Sequence, residues 1–265
     1  LKRWKSTAGA DYLNLLRLMA ADRKVPLNRL TTRWWWQVPF AWDGLPLLIM
    51  QGRAVDFSAP PHQNMHHVGP MVPELTPASP EDRAVLAIAE QAKSDGKRVV
   101  YITFGSLISG DAQIVERLWQ AVDSCPDVVA IHTMGGHLDG VAEKVPENVH
   151  LVGWAPQDQL LYHCDAAIIH VGVNTMIECI AAHTPMLCIP RGVDCEGNTA
   201  RVVYHQLGIA ATQNASAEEI HQKLRKLLDD PSYAPRCEAI FEQLDTYRDA
   251  KTAETVVRNL ISVPK

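Results

Sequence analysis

Residues 168–179, IIHVGVNTMIEC, join a β-branched apolar run to a run with helical spacing, and polar side chains stand at the junction. His170 and Gly172 come where the predicted strand ends, and Asn174 and Thr175 come where the predicted helix begins. The first amides of a helix have no partner within the helix, and the helix dipole is positive there. This pattern is typical of a phosphate site, in which glycine lets the backbone come close. It is equally compatible with a buried histidine and with Asn174 acting only as an N-cap.

Three further residues carry groups that could bind parts of a ligand. Glu178 lies one turn after Asn174 on the same helix face, where its carboxylate could accept from the two hydroxyls of a ribose. Trp154, in GWAPQ, follows a predicted strand and offers a flat ring on which a base could stack. Asp194 follows another predicted strand and could hold sugar hydroxyls. A solvent-facing glutamate, a core tryptophan and an ordinary loop acid are the alternatives.

The elements that would position these residues alternate along the chain from residue 81 onward. Apolar runs of about six residues predict strands, and amphipathic runs between them predict helices. This alternation indicates an α/β fold with a Rossmann-like parallel sheet and helices on both faces. Ligands of such sheets bind at the carboxyl ends of the strands, so the loops there should face one crevice. Those loops are residues 105–106, 154–157, 170–175 and 191–195.

The remaining predicted elements lie on either side of this unit. A helix is predicted over 8–22, a tryptophan-rich run follows, and the proline-rich stretch 53–83 is expected to be irregular and to link two domains. At the other end, helices are predicted over 196–208, 217–230 and 237–263.

Composition narrows the class of protein. The chain has 265 residues, of which 47% are hydrophobic and 21% charged, as in soluble globular proteins with room for two α/β units. A net charge of −5 argues against a general nucleic-acid binder. The six cysteines form no CxxC pair and lie mostly in apolar runs, which predicts reduced core thiols in a cytoplasmic protein and no zinc site. No apolar run reaches the roughly 20 residues that a transmembrane helix needs.

The run 152–202, from VGWAPQ to NTARV, resembles the nucleotide-sugar motif of family 1 glycosyltransferases, closest to the bacterial zeaxanthin and macrolide branch. VVYITFGS at 99–106 resembles the first strand of that family's C-terminal domain, and NMHHVGP at 64–70 the approach to its interdomain linker. The resemblance implies a GT-B enzyme, in which two Rossmann-like domains face each other. The implied division is 1–75 as the end of an N-terminal acceptor domain with its linker, 76–236 as the donor domain, and 237–265 as a helix returning to the N-terminal domain.

The resemblance also implies a role for each residue of the crevice. Such enzymes are usually inverting and need no metal, and the nucleotide sugar is a co-substrate, so no cofactor is expected. Glu178 favours a UDP-sugar, because a ribonucleotide offers it two ribose hydroxyls, and a thymidine nucleotide, which lacks the 2′-hydroxyl, is the alternative. The sugar-gripping pair departs from the family pattern, since Cys195 stands where glutamine is usual, and a thiol replaces an amide poorly. Trp154 would stack on the base; Gln157 and Glu178 would lie at the ribose; Ser106, His170, Gly172, Asn174 and Thr175 would hold the diphosphate; Asp194 and Cys195 would grip the sugar.

A catalytic base is the part of the family's machinery that we do not expect in this chain. In the family it is a histidine early in the N-terminal domain, whereas His62, His66 and His67 lie in the predicted linker. We therefore expect the donor-binding half of a glycosyltransferase, with the base on an N-terminal half that this sequence does not contain, whether that half was cut away or is carried on another polypeptide. By resemblance the acceptor is a hydroxyl of a small lipophilic or polyketide-like molecule. The alternative is a module that binds a nucleotide sugar, or UDP alone, without catalysis.

Overall fold

The computed structural model describes residues 46–58, 64–70, 77–105, 112–134, 145–192, 194–249 and 251–261, with the single residues 18, 21 and 75. The predictions for the helix over 8–22, for the tryptophan-rich run and for Ser106 and His62 therefore lie outside the described residues, apart from residues 18 and 21.

A six-stranded, wholly parallel sheet forms the centre of the fold, in the order β5-β4-β3-β6-β7-β8. The strand order reverses between β3 and β6, and at such a point a crevice opens at the carboxyl ends of the strands. The strands are β3 (Arg98–Thr103), β4 (Val128–Thr133), β5 (Val149–Val152), β6 (Ala166–Ile169), β7 (Met186–Cys188) and β8 (Gly208–Ala210).

Helices cover both faces of this sheet, as the sequence predicts. Along β3 the side chains alternate, so that Val99 and Tyr101 enter one buried core and Val100 and Ile102 enter the other. The first core includes residues of α1, α3, α4 and α7, and the second includes residues of α2 and α6. The helices are α1 (Pro80–Ser94), α2 (Ala112–Asp123), α3 (Gln157–Leu160), α4 (Val173–Ala181), α5 (Cys195–Tyr204), α6 (Ala217–Asp229), α7 (Tyr233–Asp249) and α8 (Thr252–Ile261).

Local sequence signals explain where two of these helices begin. Ser79 caps α1 by accepting from the Asp82 amide at 3.1 Å, and the Asp82 carboxylate accepts from the Ser79 amide at 3.0 Å. Pro80 then occupies the first helical turn, where no amide donor is needed. The Ser216 hydroxyl caps α6 by accepting from the Glu219 amide at 3.1 Å. These serines therefore mark the first turns of α1 and α6.

The proline-rich stretch is more regular than expected. β1 (Leu47–Ile49) pairs in parallel with β2 (Met65–His67), and a 3₁₀ turn spans Arg53–Val55. The prediction of an irregular stretch over 53–83 is wrong for Arg53–Val55 and Met65–His67, because the prolines fall outside both segments and β2 keeps its amide donors.

This N-terminal segment packs on α5 and α7. Asp56 forms an ion pair with Arg201 of α5 at 3.0 Å, and the Arg53 amide donates to the Tyr247 hydroxyl of α7 at 3.1 Å. Leu244 of α7 lies against Gly52, where a Cβ would meet its side chain at 2.3 Å. The segment therefore shares a surface with the helices that follow the sheet.

Two other boundaries differ from the prediction. The helix predicted over 237–263 is divided into α7 and α8, with Lys251 between them at a φ of 47°. The helix predicted over 196–208 ends at Tyr204, because Gln206 turns the chain at a φ of 55° and Gly208 begins β8. In the part of the chain that the structure describes, none of the helices combines the length and apolar character that crossing a bilayer requires.

Candidate nucleotide-sugar site

His170 follows β6 and is enclosed by two glycines of the loops at the sheet edge. A Cβ on Gly105 would lie 2.8 Å from the ring Cε1, and a Cβ on Gly172 would lie 2.8 Å from Nε2. Gly105 also has a φ of +74°, which disfavours any other residue. The loops after β3 and β6 therefore close on the same imidazole at the point where the strand order reverses. Glycine is needed at both positions for this contact.

Burial sets the protonation of His170. It lowers the pKa of the imidazole, while the nearby Thr103 backbone and the Asp194 carboxylate raise it by less. The ring is therefore neutral at neutral pH and carries one N–H donor. Nδ1 is buried and has no hydrogen-bond partner among the described residues.

Helix α4 begins with uncapped amides. Gly172 is its N-cap and supplies no side-chain hydrogen bond, while Asn174 is the second helical residue and is exposed. The alternative in which Asn174 serves only as the N-cap is therefore wrong. The first amides of α4 can donate to an anion, since Gly172 supplies no side-chain cap and the helix dipole favours negative charge.

Gln157 connects the loop after β5 to α4. Its side-chain nitrogen donates to the Glu178 carboxylate and, at 3.3 Å, to the hydroxyl of Thr175, which is buried. Burial raises the pKa of Glu178, and the hydrogen bond from Gln157 lowers it by less. No second partner of this carboxylate occurs among the described residues, so one of its oxygens remains available to a ligand hydroxyl.

Trp154 lies in the same loop, two residues after β5, and is 75% exposed. The alternative of a core tryptophan is therefore wrong. An indole this exposed keeps a wide apolar surface in water, which a stacked base would cover.

A cavity of about 740 Å³ separates α4 and α5 from the N-terminal segment. Asn174, Glu178 and Asp194 line one side of it. A second cleft of similar volume, about 730 Å³, lies beside α1 and contains none of the predicted site residues. The lining of the first cavity is completed by Ile49, Met50, Gln51, Pro70, Val173, Ile177, Asn198 and Arg201.

Asp194 and Cys195 lie in different surroundings in the structure. Asp194 is exposed at the N-cap of α5, and its carboxylate accepts a hydrogen bond from the side-chain Nδ2 of Asn198 at 2.8 Å. Cys195 is 3% exposed, and its thiol donates to the Arg191 carbonyl at 3.6 Å. Burial raises the pKa of this thiol. The structure thus places Asp194 at the cavity and leaves Cys195 outside its lining, although the sequence pairs the two residues.

Two supporting residues were missed by the sequence reasoning. Asn198 donates both to Asp194 and to the Val171 carbonyl, at 3.0 Å, and so joins the loop after β6 to the start of α5. Its spacing of one helical turn from Asp194 is the signal that could have found it. Tyr101 is buried in β3, and its hydroxyl reaches Gln157 at 3.2 Å. The signal that could have found Tyr101 is a side-chain hydroxyl within an otherwise apolar strand.

The described residues contain no group of three or more histidine, cysteine, aspartate or glutamate side chains that could hold a metal ion. All six cysteines are free thiols, five of them buried and Cys164 half-buried, as the sequence predicts.

A family model decides what kind of protein carries this crevice. Residues 46–241 match the model described as UDP-glucoronosyl and UDP-glucosyl transferase. The chain belongs to this family. The match spans both the N-terminal segment and the sheet, so the resemblance of the 152–202 motif to family 1 glycosyltransferases is confirmed.

Curated relatives agree with this assignment. The chain is 27% identical over 154 residues to an oleandomycin glycosyltransferase of Streptomyces antibioticus, covering 57% of this chain and 35% of that protein. It is 24% identical over 173 residues to a zeaxanthin glucosyltransferase of Pantoea ananas, covering 64% and 38% respectively. The chain therefore spans little more than a third of the length of these relatives.

Solved structures show the same fold. A calicheamicin glycosyltransferase, CalG4, aligns with a TM-score of 0.69 at 19% identity, covering 100% of this chain and 64% of that one. The glycosyltransferase of kitacinnamycin aligns with a TM-score of 0.70 at 18% identity, covering 96% and 67%. The prediction of a GT-B C-terminal domain with part of an N-terminal domain agrees with these partial alignments.

Proposed function

We propose that this transferase-family chain binds the nucleotide part of a UDP-sugar at the carboxyl edge of its sheet. In this proposal it is the donor-binding half of an inverting glycosyltransferase that moves the sugar to a hydroxyl of a small acceptor. The observation that carries the proposal is the contact of Gln157 with Glu178 and Thr175, which brings the β5 and β6 loops together around one carboxylate.

The ribose end of the site follows from that carboxylate. Glu178 has one oxygen engaged by Gln157, and its other oxygen can accept from a hydroxyl of the ligand. Trp154, in the same loop as Gln157, presents its exposed indole to the base. A ribonucleotide gains most from this arrangement because it offers two neighbouring hydroxyls, and a UDP complex is known for the relative Os79 from O. sativa, which aligns with a TM-score of 0.52.

The diphosphate end follows from α4. Its uncapped amides favour an anion, and the neutral His170 can add one hydrogen-bond donor. Negative charge grows on the diphosphate as the sugar leaves, so donors fixed at this position would stabilise the transition state for transfer. Asp194, at the cavity that Glu178 also lines, would hold sugar hydroxyls.

The acceptor side of the reaction is assigned to another part of the enzyme. The structure describes two of the linker histidines, His66 and His67, and places both in β2, where His67 Nδ1 lies 2.9 Å from the Gln51 carbonyl. A general base must reach the acceptor hydroxyl. We assign this base to an N-terminal half, which supplies the acceptor pocket as well.

Titration calorimetry of the 265-residue chain with UDP tests the proposal. We expect binding that Glu178→Ala weakens at least tenfold, while Glu218→Ala, an exposed glutamate of α6, leaves it unchanged. Absence of UDP binding, or equal binding by both variants, would contradict the proposal. Transfer is then assayed with UDP-sugars, hydroxylated acceptors and an N-terminal half of the same family. Binding without transfer in every such mixture would instead favour a non-catalytic UDP-sugar-binding module.

A further inference from the structure

We propose that Tyr101 is a positioning residue of the nucleotide site, because its hydroxyl fixes the orientation of the Gln157 side-chain amide toward Glu178. The proposal rests on the proposed function, since it concerns how the ribose-binding carboxylate is presented. Tyr101 acts through Gln157 and makes no contact with the ligand itself.

The contacts of Tyr101 cross three strands of the sheet. The residue lies in β3 and is 2% exposed, with its hydroxyl 3.0 Å from Thr133 Oγ1 at the end of β4. The same hydroxyl lies 3.2 Å from Gln157 Oε1, in the helix that follows β5. A single buried hydroxyl thus links the carboxyl ends of neighbouring strands to the residue that contacts α4.

The available protons give this chain of hydrogen bonds one direction. Gln157 Oε1 can only accept, so Tyr101 must donate to it. A hydroxyl has one proton, so when Tyr101 donates to Gln157 its 3.0 Å contact with Thr133 is a hydrogen bond only if Thr133 donates, and this is shorter than the 3.4 Å from Thr133 Oγ1 to the Ile102 carbonyl. Burial raises the pKa of Tyr101 to about 12, which keeps the phenol protonated throughout the working range of an enzyme. The donated proton is consequently always present.

The hydrogen bond from Tyr101 holds the Gln157 amide with its nitrogen facing Glu178. With Oε1 held by Tyr101, the amide nitrogen points to α4, where it donates to Glu178 and Thr175. The reversed amide would bring its oxygen against the Glu178 carboxylate, so the orientation that places Oε1 on the Tyr101 hydroxyl is the favoured one. Tyr101 therefore stabilises the amide orientation in which Gln157 engages one oxygen of Glu178 and leaves the other for the ligand.

The substitution Tyr101→Phe removes this hydroxyl while keeping the ring in the core. We expect a fivefold or greater rise in the Kd for UDP and a change below twofold for 2′,3′-dideoxyuridine diphosphate, which lacks the hydroxyls that Glu178 would accept. In a Gln157→Leu background, Tyr101→Phe should have no further effect on UDP binding, since the two residues act in series. Tyr233→Phe, a buried tyrosine of α7, is the control and should bind both ligands as the parent does.

The outcomes separate this inference from the proposed function. If the parent chain fails to bind UDP, or Glu178→Ala binds UDP like the parent, the proposed function fails and the inference with it. If Glu178→Ala weakens UDP binding but Tyr101→Phe does not, or weakens both ligands equally, only the role of Tyr101 is overturned. Should Tyr101→Phe fail to fold, Thr133→Val removes the other hydrogen-bond partner of the Tyr101 hydroxyl. We then expect the Kd to rise two- to threefold for UDP and to stay unchanged for the dideoxy analogue. A Thr133→Val protein that binds UDP as tightly as the parent does would overturn the inference.

Discussion

The side-chain amide of Gln157 donates a hydrogen bond to the carboxylate of Glu178. The two residues are 21 positions apart and follow different strands, β5 and β6. Their contact therefore depends on the sheet, which brings both strand ends to one edge. It also couples the two halves of the proposed site, because Gln157 shares its loop with Trp154 and Glu178 shares its helix with the uncapped amides.

Replacing Gln157 by leucine should weaken UDP binding and change its dependence on pH. Loss of one charge-assisted hydrogen bond and misplacement of the carboxylate should cost about 1.5–3 kcal/mol, or at least tenfold in Kd. Burial already raises the pKa of Glu178, and without the Gln157 donor the pKa rises further. Affinity falls when pH is lowered and Glu178 is protonated, so in Gln157→Leu that fall begins at a higher pH. Calorimetry from about pH 5 to about pH 8 measures both the Kd for UDP and its dependence on pH.

Gln222→Leu is the matched control for this experiment. Gln222 also donates to a glutamate, Glu218, but on the exposed face of α6. Its replacement should leave the Kd for UDP and the pH profile unchanged. An identical profile for Gln157→Leu and the parent would show that Gln157 does not influence Glu178.

Gly105→Ala should weaken UDP binding by displacing His170. The new methyl group would lie 2.8 Å from the imidazole, so the ring or the loop must move. Gly96→Ala separates this effect from backbone strain, because Gly96 has a similar φ of +72° and no atom within 4 Å of an added Cβ. Both variants should lose about 1–2 kcal/mol of unfolding free energy from left-handed alanine. Only Gly105→Ala should raise the Kd for UDP, and equal binding by the two variants would contradict the role given to His170.

Much of the fold could be predicted because its signals are local. The β-branched run over Arg98–Thr103 predicts a buried strand, and the serine caps predict the starts of helices. β8 could not be predicted, since it has three residues and begins with Gly208, which lies so close to the Met186 carbonyl that an added Cβ would be 2.0 Å from it. This strand exists because β7 offers an edge to pair with, and no local pattern records that.

In the site, too, features set by nearby residues could be predicted, and contacts between residues far apart in the sequence could not. That several loops share one edge follows from parallel strands alone. The contact of Tyr101 with Gln157 could not be foreseen, because it joins residues 56 positions apart across the sheet. Cys195 shows the opposite error, since adjacency to Asp194 suggested a shared role. At the start of a helix consecutive side chains point about 100° apart, and here one residue lines the cavity while the next is buried.

Trp154→Ala should reduce UDP affinity with little effect on stability. The indole is 75% exposed, so the free energy of unfolding should change by no more than about 0.5 kcal/mol. Stacking on a base is worth about 1–3 kcal/mol, so the Kd for UDP should rise at least fivefold. Inorganic diphosphate, which has no base, should bind parent and variant equally. Tyr162→Ala, another exposed aromatic residue, should change neither Kd, and a Trp154→Ala protein with normal UDP affinity would remove the indole from the site.

Acidification should destabilise the fold through His132. Its Nδ1 accepts from the Trp119 indole at 3.0 Å, and burial lowers the pKa of His132 to about 4 from 6.5. A folded-state pKa below the unfolded value gives stability that is complete above pH 6.5 and is lost as pH falls toward 4. The full loss is about 3 kcal/mol. Urea unfolding across this range measures how steeply the free energy of unfolding falls with pH, and we expect a shallower slope for His132→Gln than for the parent. His150→Gln is the control, because His150 is exposed on β5, and it should show the slope of the parent. Protonation of His132 at Nδ1 would break the hydrogen bond that this nitrogen accepts from the Trp119 indole, which is why acid should act through this residue. A parent-like slope in His132→Gln would assign the acid sensitivity to other groups.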